Sequence, residues 1–187
     1  NGGSSIFRFG RDFAGTGGSF VAGTSTAAGF ARYAQVIAGV TYNNLILSGS
    51  GAKTTTGATV NGTLSMRGTA TATGATPVYG AAATLEYMGA AAPVIGNEFQ
   101  SPWVATGGVV VNNPFGVALS SSVQINTLLT LTNGVLSIGD NDLIFGGVAA
   151  PVAGASATNY ISTVATGQVR KLFFANGTYT FQIGNAG

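Results

Sequence analysis

The chain has 187 residues, of which 6% are charged, against about 25% in ordinary soluble domains; hydrophobic residues make up 45% and glycine occupies 30 positions. Cysteine and histidine are absent, which removes disulfides, thiolate metal sites and the side chain most often used as general base or metal ligand near neutral pH. Seven Lys and Arg against five Asp and Glu leave a net charge of +2, too few and too scattered for a nucleic-acid-binding surface.

With charge so scarce, Ser, Thr, Asn and Gly must hydrate the surface. Beside Val, Ile, Leu, Phe and Tyr they are the vocabulary of strands and tight turns, so the fold class read from composition is all-β. At the start, Asn1 to Ser5 shows no basic region followed by an apolar stretch of the kind a leader carries. In the stretch 27–40, Phe30, Tyr33, Ala34 and Ile37 fall at helical spacing. Gly29 and Gly39 bracket them, and propensity alone leaves helix and strand both open.

From Tyr42 onward the text changes rhythm. Apolar pairs with one residue between them, Leu45/Leu47, Leu64/Met66, Leu85/Tyr87, Val109/Val111 and Leu129/Leu131, point side chains to one face of a strand. Their starts are separated by 19, 21, 24 and 20 residues. A recurrence of that length is the mark of a solenoid, whose units bury their apolar faces only by stacking. Leu45 and Leu64 are therefore expected at one position on successive coils, a strand spacing of about 4.8 Å apart.

Gly49-Ser50-Gly51, Asn61-Gly62, Gly107-Gly108, Asn112-Asn113-Pro114, Asn133-Gly134 and Gly139 to Asp142 separate the pairs and supply corners. The threonine runs at 54–56 and 69–73 do not recur at the coil period, so they are expected as solvent-facing β surface rather than an ice-binding array. The segment 81–88 is rich in helix formers, yet Leu85/Tyr87 also fits a period of two. Gly80 to Trp103 has no clear repeat. Leu129/Leu131, Leu136/Ile138 and Leu143/Phe145 follow each other at seven residues, which fits successive strands around one coil. The weakly polar stretch 143–157 is broken by Gly146, Gly147, Pro151 and Gly154 and is too short for a spanning helix.

The stretch "GSFVAGTSTAAGFARYAQVIAGVTYNNLILSGSGAKTTTGATVNGTLSM" (18–66) resembles the repeats of large secreted surface proteins of Bacteroidetes, the filamentous-haemagglutinin-like adhesins. The closing "NYISTVATGQVRKLFFANGTYTFQIGNAG" (159–187) resembles the passage where such a solenoid gives way to the next module. The resemblance implies a right-handed parallel β-solenoid (β-helix) with coils of about 20 residues, exported to the bacterial cell surface by the type IX route. It implies solenoid repeats over 1–158 and, over 159–187, a last coil or the start of a following β module. An ending at Gly187 inside a motif is what a segment of a longer protein would show.

Candidate chemistry is sparse. Asp140-Asn141-Asp142 resembles half a calcium loop, but it lacks the downstream bidentate glutamate and reads better as a turn whose side chains bond their own backbone. Asp12, Glu86, Glu98, Asp140 and Asp142 are far apart in sequence, which disfavours the clustered carboxylates of glycan-cleaving β-helices. Trp103 and Tyr160 are the candidate glycan contacts, with Tyr42, Tyr79 and Phe99 behind them; the plainer role for these aromatics is to plug a narrow core. No catalytic residue, cofactor or metal site is expected. The expectation is a non-catalytic extracellular adhesive or stalk module whose partners are neighbouring modules, identical subunits or cell-surface glycans. A self-assembling filament subunit and a glycan-binding or glycan-cleaving β-helix are the alternatives.

Overall fold

A computed structural model describes residues 6–9 and 27–185. Strand β1 (Ile6–Phe9) lies against β2 (Ala27–Phe30), which continues through β3 (Gln35–Val36) and β4 (Thr41–Tyr42) to close a coil. The next two coils repeat that plan, first with β5 (Asn44–Leu47), β6 (Ser50–Thr54) and β7 (Thr59–Val60), then with β8 (Thr63–Arg67), β9 (Thr69–Thr73) and β10 (Val78–Tyr79). A longer coil holds β11 (Thr84–Met88), β12 (Val94–Ile95) and a single bridge at Trp103. Regular coils resume with β13 (Gly108–Asn112), β14 (Val117–Leu119) and β15 (Val123–Ile125), and with β16 (Leu129–Asn133), β17 (Leu136–Ser137) and β18 (Leu143–Phe145). A bridge at Ala153, β19 (Ile161–Ser162), β20 (Val169–Lys171) and finally β21 (Ile183–Gly184) complete the described chain.

Every strand pair is parallel. The largest sheet has seven strands in the order β1-β2-β5-β8-β11-β13-β16 and runs through the long coil without a break. The other faces are interrupted there: β3-β6-β9 and β10-β7-β4 lie before it, β12-β14-β17-β19-β21 and β15-β18-β20 at and after it. The molecule is an all-β parallel β-solenoid of about eight turns, with coils of about 20 residues. Paired positions are separated by as few as 17 residues (Ala28 and Leu45) and as many as 26 (Leu143 and Val169).

The apolar pairs form two continuous columns on the inner face of the main sheet. Leu45, Leu64, Leu85, Val109 and Leu129 stand in register, and beside them stand Phe30, Leu47, Met66, Tyr87, Val111 and Leu131, all buried. Alternation decides this, because residues two apart on a strand share a face and the residue between them points out. The three pairs at seven-residue spacing become β16, β17 and β18, one on each side of a single coil. The segment 27–40 is strand and bend, 81–88 is turn and strand, and no helix occurs among the described residues. Tyr33, which helical spacing puts on the apolar face, is 77% exposed while Ile37 is buried.

Within 159–187, β19 pairs with β17, β20 with β18 and β21 with β19. In β9 the threonines are β surface, Thr69 and Thr71 facing out while Ala70 and Ala72 are buried; in the run 54–56 Thr55 is instead fully buried, which corrects the expectation there. No helix is long and apolar enough to cross a membrane among the described residues.

Candidate functional site

The polar side chains are spent mostly on joining one coil to the next. The Asn44 side-chain oxygen accepts from the Thr63 amide at 2.8 Å, that of Asn159 from the Gly134 amide at 2.9 Å, and Ser122 Oγ from the Asp142 amide at 2.9 Å. Thr55 is fully buried and its hydroxyl bonds the carbonyls of Thr73 and Ala75 on the following coil. Corners cannot satisfy all their backbone groups within the ladder, and short polar side chains from the neighbouring coil complete them.

Asp140 and Asp142 work the same way, which corrects the expectation that they bond their own turn. Asp140 accepts from the Thr166 amide at 3.2 Å and its hydroxyl at 2.7 Å. Asp142 accepts from the Gln168 amide at 3.0 Å and pairs with Arg170 at 3.2 Å. The bonds from Thr166 hold the Asp140 carboxyl below its ordinary range. No group of three His, Cys, Asp or Glu that could hold a metal ion occurs among the described residues.

The aromatic candidates are placed differently from one another. Trp103 is 1% exposed, donates from Nε1 to the Ala105 carbonyl at 3.0 Å, and packs at 4.6 Å from the Tyr79 ring and 6.0 Å from Phe99. Its faces are enclosed, and no ring face is left for a sugar. Tyr42 is buried too, its hydroxyl on the Ala38 carbonyl at 3.0 Å. Tyr160 is half-buried, its ring lying against Gly184 on the following coil.

Glu98 is the buried acid of the long coil. Its Oε1 accepts from the Tyr87 hydroxyl at 2.8 Å and the Gly96 amide at 2.9 Å, while buried Oε2 has no partner. The Tyr79 hydroxyl donates to the Glu98 main-chain carbonyl at 2.6 Å. Burial pushes the Glu98 carboxyl up and outweighs the bonds that favour its charged form. Glu86, by contrast, is on the outer face of the main sheet and accepts from Ser65 Oγ at 3.0 Å. The described carboxylates therefore occupy three separate places. Asp12 lies outside the described residues.

Two lysines collect corner carbonyls. Lys53 is fully buried, and its ammonium donates to the carbonyls of Arg32, Tyr33 and Ser50 and to Gln35 Oε1. Lys171 does the same for Gly146, Gly147 and Ala149, with the Tyr179 ring 5.1 Å from its nitrogen. Desolvation lowers the pKa of both.

On the outside, an open hollow of about 330 Å³ is lined by Ala31, Arg32, Tyr33, Gly49 and Ser50. A smaller, more apolar one of about 210 Å³ lies beside Phe115, Val117 and Val135. Helical spacing groups Tyr33 with the apolar residues Phe30, Ala34 and Ile37, and nothing in the pattern singles out Arg32; the signal available was the break in alternation between Phe30 and Gln35. Comparison with protein-family models, with curated proteins and with solved structures finds no match, so the fold itself is what the geometry establishes.

Proposed function

We propose that this chain is a non-catalytic structural and adhesive module of a bacterial surface protein, a rigid solenoid segment that acts through its shape and outer faces. The observation that carries the reading is the unbroken seven-stranded parallel sheet with two inner columns in register. Each coil is hydrogen-bonded to both neighbours, so bending the rod means breaking a ladder, and stiffness needs neither disulfide nor metal. The use of corner Asn, Ser, Thr and Asp for links between coils supports the same reading. So does the resemblance of 18–66 to surface adhesin repeats, which is also the basis for an extracellular location, type IX export, and neighbouring modules or surface glycans as partners.

The test is a panel of polysaccharides presented both in solution and on beads. Protein that retains beads while releasing no reducing ends fits an adhesive module. Release of reducing ends would replace it with a glycan-cleaving β-helix.

A second reading, a subunit that stacks head-to-tail, is favoured by one observation. The last described coil exposes Leu172, Phe173, Phe174, Phe181 and Ile183 together, and β21 has a strand neighbour on one side among the described residues. Exposed apolar side chains beside an open strand edge invite pairing with another strand.

A further inference from the structure

The corner between β2 and β3 is built differently from those of the following coils. Phe30 is in register with Leu47 and Gln35 with Lys53, so four residues (31–34) span what five (48–52) span in the next coil. The coil after that again uses five, 67–71. One residue short, the chain cuts across the corner, and its carbonyls at Arg32 and Tyr33 point to the Lys53 ammonium. The Arg32 amide is held in turn by Gln35 Oε1 at 3.1 Å.

The facing coil is pared back to make room. Gly49 has φ of 74° and a Cβ there would collide with the Ala31 carbonyl oxygen; one on Gly51 would lie 2.8 Å from the Ala34 nitrogen. The hollow is walled by the bare backbone of Gly49 and by Ser50 on one side and by Ala31, Arg32 and Tyr33 on the other. Tyr33 is 77% exposed, and the Arg32 guanidinium has no hydrogen bond or ion pair among the described residues. Among the described residues no carboxylate lines the hollow. Five of the seven basic residues fall within the first 80 positions, against one of the five acidic ones, and the Lys53 charge sits directly beneath the rim.

We propose that the Arg32–Tyr33 corner is a binding site for carboxylate-bearing sugars, the hexuronate units of an acidic polysaccharide. The proposal rests on the adhesive reading above and gives that surface its ligand. A tyrosine face accepts the apolar face of a pyranose ring, and a free guanidinium grips a carboxylate through two parallel N–H bonds. The bare backbone and Ser50 supply polar groups for sugar hydroxyls. A simple inorganic anion would use the arginine and leave the tyrosine idle. Because the buried lysine fixes the rim, little loop ordering opposes binding.

Tetragalacturonate and, as the neutral control, cellotetraose are titrated calorimetrically into the full chain and its variants. Wild type is expected to bind the uronate, with affinity falling as salt rises, and to ignore the neutral sugar. Arg32→Gln is expected to weaken binding about tenfold or more, Tyr33→Ala several-fold, and Arg32→Lys less than Arg32→Gln. Phe115→Ala, at the other hollow, should change nothing. Unchanged melting temperatures certify the folds, since both rim side chains are exposed. Equal affinity in Arg32→Gln and Tyr33→Ala, no uronate binding by wild type, or equal binding of the neutral sugar would each overturn the site. If beads coated with polysaccharide still retain the double variant as they retain wild type, the site falls and the adhesive reading stands. If wild type is retained by no coated bead, the adhesive reading falls and the titration alone judges the site.

Discussion

At Glu98 one oxygen has two donors and the other none, and the whole group is out of water. The groups that face it are the hydroxyls of Tyr79 and Tyr87 and the Gly96 amide, with no cation among them. The neutral form is therefore more favoured in the fold than in the unfolded chain, and the folded pKa lies above the ordinary glutamate range. The folded state then holds this proton more tightly than the unfolded chain, so the contribution to stability is fully present below the unfolded pKa and is lost as pH rises through the folded one. Melting temperature should fall from mildly acidic toward neutral pH, and Glu98→Gln should flatten that slope. Asp140 has the opposite sign, since its folded pKa is depressed and its contribution is lost as pH falls; its window lies below the ordinary aspartate range, clear of that of Glu98. A slope that persists unchanged in Glu98→Gln would assign the effect to another group. Tyr87→Phe, which removes a donor to the charged form, should move the Glu98 transition to higher pH, followed by its carboxyl carbon shift in NMR.

At the scale of the strand, alternation makes neighbours unequal. Leu85 lies between Leu64 and Val109 in the inner column, whereas Val110, on the next strand, points out beside Glu86. Leu85→Ala should cost about 2–5 kcal/mol, because the rigid columns on either side cannot collapse into the cavity. Val110→Thr should change stability by less than about 0.5 kcal/mol. Urea denaturation measures both, and similar losses would mean that the column is not the principal source of cohesion. This column was legible because its signal is local: two apolar residues with one between them, repeated every coil. What sequence reading could not show arises from contacts between coils. Lys53 is an ordinary surface residue by composition, and it is buried because the preceding coil is one residue short and leaves carbonyls to be satisfied. By sequence Trp103 reads either as a sugar platform or as a plug. The structure encloses it, because the long coil 84–107 carries more chain than its ladder needs and folds the surplus over the core. An accidental helical spacing assigns Tyr33 to an apolar face, Arg32 beside it carries no pattern signal, and their corner is visible only once the register with 48–52 is known.

For the molecule as a whole, the long coil is a seam. Solenoid stability is a sum over coils and the interfaces between neighbours, and at this seam two of the ladders stop while the main sheet alone passes through. The head-to-tail reading belongs to the same scale. If the exposed side chains of the last coil mediate stacking, light scattering should show a mass that grows with concentration, and Phe173→Asp with Phe174→Asp should return it to the monomer. A constant monomer mass in wild type would remove that reading and leave the fold untouched.

The seam gives the sharper prediction. With the side ladders interrupted, coupling between the first three coils and the later ones rests on β11 and on the aromatic group of Tyr79, Phe99 and Trp103, in which Trp103 touches both others and also bridges to Ile125 beyond the seam. Removing that ring should both destabilise and uncouple. Trp103→Ala should cost about 3–5 kcal/mol in the coils that flank it, and because each side keeps its own ladder, denaturation should divide into two steps where wild type shows one. Hydrogen exchange followed by mass spectrometry locates the effect: amides of 44–79 and of 123–145 should exchange with a common stability in wild type and with separate ones in the variant. Leu45→Ala, an equally buried change in the same sheet two coils before the seam, is the control, because it weakens one rung away from the junction. If Trp103→Ala lowers the stability of both halves equally and leaves a single transition, the main sheet carries the coupling by itself, and the plug serves only to fill space.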